Sequence, residues 1–164
     1  MTLVIRVVGD EDVPDILTIN QASTPHVAPI DFAEWGRLRS NGAQCYVAAR
    51  PEVTAYLISF SSKSPHDGEE FQLFRERLQG PFLYIDQVAV APLHRHSHIG
   101  RALYHYVESQ ARSHGVFQLC CEVNVIPPNP LSMSFHRAMH FEPIIELALT
   151  DHRRVALMVK NLAR

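Results

Sequence analysis

Apolar positions along the chain recur with a period near two or near 3.6, and the changes of period divide it into elements. Leu3 to Val8 reads as a first strand. Asp12 then caps a short helix with Pro14 in its first turn and Val13, Ile16 and Leu17 on its apolar face. A second helix is predicted at about Phe32 to Arg39. Two β-rich runs follow, Ala43 to Ala49 and Val53 to Phe60, and the Arg50-Pro51-Glu52 between them has the length and chemistry of a hairpin turn.

Residues 61 to 80 contain Ser62-Lys-Ser-Pro-His-Asp-Gly68 and run on into Glu69 to Leu78, where Phe71, Phe74 and Leu78 fall at helical spacing. This is a long connection with its own short helix, of a length used by functional lids. Phe82 to Val90 is the next strand, with Tyr84, Asp86 and Val88 on one face and Leu83, Ile85, Gln87 and Ala89 on the other. Pro92 leads into a basic loop and then a helix from about Gly100, whose buried stripe is Ile99, Leu103, Tyr106, Val107 and Ala111, with Glu108 one turn before Arg112 on the wet face and Gly115 as terminator. After a strand at Gln118 to Val123, Asn129-Pro130 is the best N-cap and first-turn pair in the chain, opening a helix that turns Leu131, Phe135, Ala138 and Met139 inward. Phe141 to Leu149 and Val155 to Val159 are two last strands around Thr150 to Arg154. The order β-α-α-β-β-(lid)-β-α-β-α-β-β predicts one α/β (α+β) domain over residues 1–164, with a mixed, mostly antiparallel central sheet flanked by helices.

Composition narrows the classes. A chain of 164 residues buries roughly 70% of its unfolded surface and needs no disulfide or metal to hold it together. With 15 basic residues against 17 acidic ones there is no global positive field, so nucleic acid is not expected as a partner. No run approaches the ~18 apolar residues of a membrane span, and Met1 to Arg6 lacks the form of a signal peptide, so no membrane partner and a cytoplasmic location are expected. Cys45, Cys120 and Cys121 are odd in number and set in apolar strand-like runs, which suits buried reduced thiols.

The segment Gln87 to Leu103 carries the most chemistry, because a strand, a basic loop and a helix N-terminus follow one another directly. Unpaired backbone N–H groups and the helix dipole make an anion site there, and Arg95 and Arg101 add charge. A phosphate-bearing ligand is the physical expectation. Val88-Ala-Val-Ala-Pro92 followed by Arg95-His-Ser-His-Ile-Gly100 resembles the pyrophosphate motif of the acetyl-CoA-dependent N-acetyltransferases of the GNAT superfamily, and Asn129-Pro-Leu-Ser-Met-Ser-Phe-His-Arg-Ala-Met-His-Phe141 is similar to that family's second motif. The element order matches as well.

The resemblance implies an enzyme that transfers acetyl from acetyl-CoA, its co-substrate, directly to a primary amine acceptor, without a metal. It implies that Val88, Ala89 and Val90 pair with the pantetheine arm like an added strand. It further implies that Arg95, His96, Ser97, His98, Ile99, Gly100 and Arg101 hold the pyrophosphate and that Asn129 reaches the cofactor from the other side. Family members often pair, so a homodimer is one expectation. Three residues depart from the motifs. His98 and His140 stand at glycine positions, where positive φ or close approach is usual and a histidine adapts at some cost, and His136 stands at the place of the tyrosine that returns a proton to the thiolate. An imidazole can perform that last task. Glu122 and Asp86 are the two candidate bases for the amine proton.

The same residues admit other readings. His94, His96 and His98 at alternate positions could chelate a metal, but an arginine intervenes and no carboxylate is near. Cys45 or Cys121 with a histidine could be a nucleophile pair, but their strand settings favour burial. His26 could line an acceptor pocket, and Arg153-Arg154 reads as a solvated turn. The alternative function is a catalytically impaired CoA-binding or protein-interaction module on the same fold, motivated by His98, His136 and His140.

Overall fold

Strands and helices form where the periodicities require them. The computed structural model describes residues 1–164, with β1 (Val4–Val7), α1 (Val13–Ser23), α2 (Phe32–Ser40), β2 (Gln44–Ala49), β3 (Val53–Ser61), α3 (Glu69–Arg77), β4 (Leu83–Val90), α4 (Ile99–Ser113), β5 (Gln118–Ile126), α5 (Pro130–Ala138), β6 (Glu142–Ala148) and β7 (Arg154–Asn161). Seven strands make one sheet in the order β1-β2-β3-β4-β5-β7-β6. Every joint is antiparallel except β4–β5, the pair connected through α4. This is the mixed, mostly antiparallel sheet expected. No helix is long and apolar enough to cross a membrane.

Each face of the sheet has its own core. Val13 and Ile16 of α1, Trp35 of α2, and Phe71 and Phe74 of α3 pack on one face, around Tyr56, Phe60 and Tyr84. Leu103, Tyr104 and Val107 of α4 pack on the other, around Leu57, Leu119 and Met158.

Four details correct the sequence reading. The alternation along β4 changes phase at Asp86, because Ile58 pairs with Gln87 and Ser59 with Ile85, which leaves Asp86 as the extra residue of a bulge. Gln87 and Ala89 therefore join the face of Tyr84, and Val88 moves to the face of Ile85. In α4, Tyr104 and not Tyr106 is fully buried, and Glu108 lies inside, where Lys160 donates to it at 2.5 Å. Asp12 does not cap α1 with its side chain; it accepts from the Arg6 guanidinium at 2.6 and 2.9 Å and from the Gly9 amide at 2.7 Å. In α5, Leu131 and Ala138 face solvent, while the inward place is taken by His136, a polar residue that burial tolerates because both ring nitrogens are bonded.

The Glu108–Lys160 pair joins α4 to β7 with both side chains mostly covered. Lys160→Ala, which leaves the buried carboxylate only His105 Nδ1 at 3.6 Å, is expected to cost about 3–5 kcal/mol in chemical denaturation, and Glu108→Leu with Lys160→Met to recover most of it. A single-variant loss below about 1 kcal/mol would show the pair to be screened as a surface pair is.

Candidate active site

The parallel joint between β4 and β5 is short. It pairs only Leu83, Tyr84 and Ile85 with Leu119, Cys120 and Cys121. Beyond them β4 bends at its bulge and β5 continues along β7, so the strands part and the edge of β4 that faced β5 has no neighbour from Asp86 to Val90.

At the far end of this cleft lies the loop before α4. A single 3₁₀ turn, Pro92–His94, leads into it, and His96 and His98 both adopt left-handed backbone, each with φ near 63°. The amides of His96, Ser97, His98, Ile99, Gly100 and Arg101 donate to no protein acceptor; the first satisfied one is Ala102 N, bonded to His98 O at 3.0 Å. Six free donors thus gather at the positive end of a 15-residue helix, where the dipole favours negative charge. Arg95 ties the end of β4 to the last turn of α1, donating to Val90 O at 3.1 Å and, from its other arm, toward Ala22 O and Ser23 Oγ at 3.4 Å. Gly100 has φ outside the left-handed range, and a Cβ built on it would meet Phe135 at 3.5 Å and Val90 at 3.9 Å, ordinary contact distances. The end of β4, the first turn of α4 and α5 therefore converge there. The glycine-motif positions behave as their motif requires: His98 and His140 both hold positive φ, His140 at 68° as it closes α5.

Where the strands part there is a cavity of about 190 Å³. Asp86 and Gln87 reach it from the bulge, Glu122 and Asn124 from β5, and Asn129 and Ser132 from the start of α5. Glu70 of α3, His26 and Arg153 complete its wall. Asn129 caps α5 as expected, accepting from Ser132 N at 3.3 Å. Arg153 lies at the β6–β7 turn with its side chain partly exposed, but it also reaches inward, donating to Asn124 Oδ1 at 3.2 Å as well as to Asp151 at 2.7 Å, whereas Arg154 pairs at the surface with Glu146.

Glu122 accepts from Tyr84 Oη at 2.8 Å, and the same hydroxyl lies 3.3 Å from Glu70 Oε1. Burial pushes the Glu122 carboxyl well above the usual range, and the charges of Glu70 and Asp86 push it further; the tyrosine bond and Arg153 oppose this only partly. Asp86 lies 3.4 Å from His66 Nε2. Tyr84, Glu70 and His66 were not singled out in the sequence as site residues. Tyr84 shares a strand face with Asp86, which is the signal that could have found it.

His136 is 4% exposed and does not line the cavity. Its Nδ1 lies 2.8 Å from Ser132 O and 3.2 Å from Ser132 Oγ, so the ring donates there, and Nε2 accepts from Tyr104 Oη at 2.7 Å. Burial holds the imidazole below its ordinary pKa, with the Ser132 carbonyl opposing. The residue expected to serve the thiolate is thus a neutral strut between α5 and α4. The three cysteines are buried, and burial pushes their thiols up, Cys45 to about 11, which does not suit a nucleophile. No cluster of three histidine, cysteine or carboxylate side chains is placed to hold a metal ion. A wider, open groove of about 920 Å³ between α1 and α2 holds neither the free amides nor Asp86 and Glu122.

A sheet split at its one parallel joint, with free helix-terminal amides at one end of the split and carboxylates at its fork, defines an acyltransferase of the GNAT fold. The chain belongs to the acetyltransferase (GNAT) family, whose model matches residues 13–141. It is similar in structure to Ard1 from Thermoplasma volcanium (TM-score 0.76, 15% identity, all of both chains covered). It is also similar to the ribosomal-protein-alanine N-acetyltransferase from Brucella melitensis (TM-score 0.73, 23% identity, 97% and 99% covered) and to Arabidopsis thaliana NAA60 in complex with acetyl-CoA (TM-score 0.74, 18% identity, 98% of both covered). A search of curated proteins by sequence found no match.

Because the folded state favours the acid form of Glu122, it binds a proton the unfolded chain has released, and stability falls as pH rises above the ordinary carboxylate range. Glu122→Gln removes that slope, at most about 1.4 kcal/mol per pH unit. Thermal melts are expected to show the variant gaining on the parent as pH rises from about 4.5 toward neutrality; a constant difference would place the carboxylate in water. His136→Phe leaves the Tyr104 hydroxyl buried without a partner and is expected to cost about 1–3 kcal/mol in the same melts.

Proposed function

We propose that the protein transfers the acetyl group of acetyl-CoA directly to a primary amine, with no covalent enzyme intermediate. The observation that carries this reading is the open edge of β4 running from the carboxylate fork to the six unpaired amides. An elongated ligand with a peptide-like arm and a diphosphate fits such a cleft: the arm adds to Val88, Ala89 and Val90 as a strand would. The diphosphate takes the amides of His96 through Arg101, with Arg95 and Arg101 as countercharges. Asn129 closes on the ligand from α5. NAA60, a solved structure of the same fold, holds acetyl-CoA.

The acceptor amine enters the cavity and attacks the thioester carbon. The new C–N bond forms, the C–S bond breaks, sulfur leaves with the electron pair, and the amine's proton goes to a carboxylate at the fork. His136 serves this chemistry only by anchoring Ser132, which does line the cavity. Of the three departures that motivate the alternative, an impaired binding module, His98 and His140 keep the left-handed backbone of their glycine positions, while His136 is buried away from the cavity, so thiol release with an amine panel separates the two readings.

Titration of coenzyme A into ¹⁵N-labelled protein is expected to move the amide signals of His96 to Arg101, and thiol release from acetyl-CoA is expected on addition of at least one amine of a panel. Arg95→Glu should weaken coenzyme A by ~2 kcal/mol or more, about 30-fold in Kd. Unmoved loop amides, or an unchanged Kd in the variant, place the cofactor elsewhere.

A further inference from the structure

We propose that His66 is a positioning residue, a hydrogen-bond donor locked in one tautomer, that holds Asp86 as the acceptor of the amine's proton. The proposal rests on the acetyl-transfer reading for its chemistry, and on geometry alone for the state of the ring.

His66 lies in the connection between β3 and α3. Its Nδ1 accepts from Gly68 N at 3.0 Å, so that nitrogen is bare and the neutral ring carries its hydrogen on Nε2. Nε2 lies 3.4 Å from Asp86 Oδ1, a long contact of the kind that tightens when a substrate fills a site. The ring has little freedom to turn away. It stacks on Phe71 at 4.8 Å between centroids and stands edge-on to Phe60 at 4.7 Å and to Tyr84 at 5.4 Å. Its carbonyl is tied down by Gln72 Nε2 at 2.6 Å.

Asp86 needs such a holder. As the extra residue of the bulge it has no partner in β3, so the ladder does not fix its backbone. The imidazole fixes one oxygen and leaves the other for the cavity that Asp86 lines. Since the backbone amide occupies its only lone pair, the ring cannot collect the proton Asp86 takes, which makes it a donor and not a relay. Glu122 sits in the opposite environment, receiving one hydroxyl while facing Glu70 and Asp86. Of the two carboxylates at the fork, Asp86 meets a fixed N–H, whereas burial and neighbouring charges press Glu122 toward the acid. In the reaction the amine's N–H bond breaks, an O–H bond forms on Asp86, and that proton passes to solvent once the amide product has left.

The charged and titratable groups facing Asp86 are His66 and Glu70 from the α3 side, Tyr84 on its own strand, Tyr56 of β3, Cys45 of β2, Glu122 from β5, Arg153 from the β6–β7 turn, His26 after α1 and, farther off, Arg37 of α2. Removing the imidazole N–H takes away a donor to the anion, so Asp86 should protonate at higher pH. His66→Ala is expected to lower kcat by about 10- to 100-fold with little change in KM, and to move the acidic limb of the kcat/KM profile up by about one unit. His66→Gln, whose amide nitrogen falls near the place of Nε2, should restore the limb; His66→Asn, which mimics Nδ1, should not. A merely structural His66 predicts equal effects of Gln and Asn and an unmoved limb, and either result overturns the proposal. ¹⁵N shifts of the His66 ring decide the geometry without any turnover: hydrogen on Nε2 and a bare Nδ1 are expected, with the Nε2 signal moving in Asp86→Asn. A ring protonated on Nδ1 sinks the proposal. If the ring is as expected and no amine is acetylated by the parent protein, the transferase reading has failed while the locked pair stands.

Discussion

The brevity of one parallel joint governs this molecule. Three residues of β4 pair with three of β5, and then a single unpaired residue, Asp86, bends β4 away. A sheet that stayed paired would offer no unsatisfied edge and no room for a ligand. Because it parts, the same short stretch exposes strand edge, places two carboxylates at the point of divergence, and aims the end of β4 at the loop before α4. The bulge is therefore what converts a scaffold into a cleft, and its cost in lost ladder bonds falls where a ligand's own groups can replace them.

Two imidazoles show how backbone chemistry selects a ring's role. Both are largely buried and both have neighbours at each nitrogen. His136 donates from Nδ1 to a helix carbonyl and so presents a bare Nε2, which the Tyr104 hydroxyl fills. His66 accepts at Nδ1 from a loop amide and so presents an N–H, which meets a carboxylate. One becomes a cross-brace between helices and the other a donor at the cavity. The difference is set by whether the chain turns a carbonyl or an amide toward the ring.

What the sequence disclosed follows from which signals are local. Elements, their order, the α4 loop and the Asn129 cap rest on period and turn chemistry within a few residues, and all are present. The facing of β4 was misread because a bulge depends on the partner strand: nothing in Phe82 to Val90 alone says that Ser59 skips Asp86. Glu108 read as a surface residue because its partner, Lys160, is 52 residues away. The burial of His136 was hidden for the same reason, since its partner Tyr104 lies on another helix. Of the candidate cavity's lining, Asp86, Glu122 and Asn129 were legible as polar residues next to turn and cap signals; where His66 and Glu70 dock was not, because residues 61–80 carry no pattern that points to a partner.

The two glycine positions filled by histidine make a sharper case. Left-handed backbone costs an L-residue roughly 1–2 kcal/mol, less for types such as histidine that visit it more often. His98 and His140 both adopt it, at φ 63° and 68°. The motif thus records a conformation and not a residue. The loop keeps its shape because six amides freed at the N-terminus of α4 and an α5 that must end before Phe141 both require that turn of chain, and a cost of this size is small against the core residues such as Ile99, Leu103 and Phe141 that hold it. Departure from the motif at those two positions is therefore no evidence against an intact anion seat.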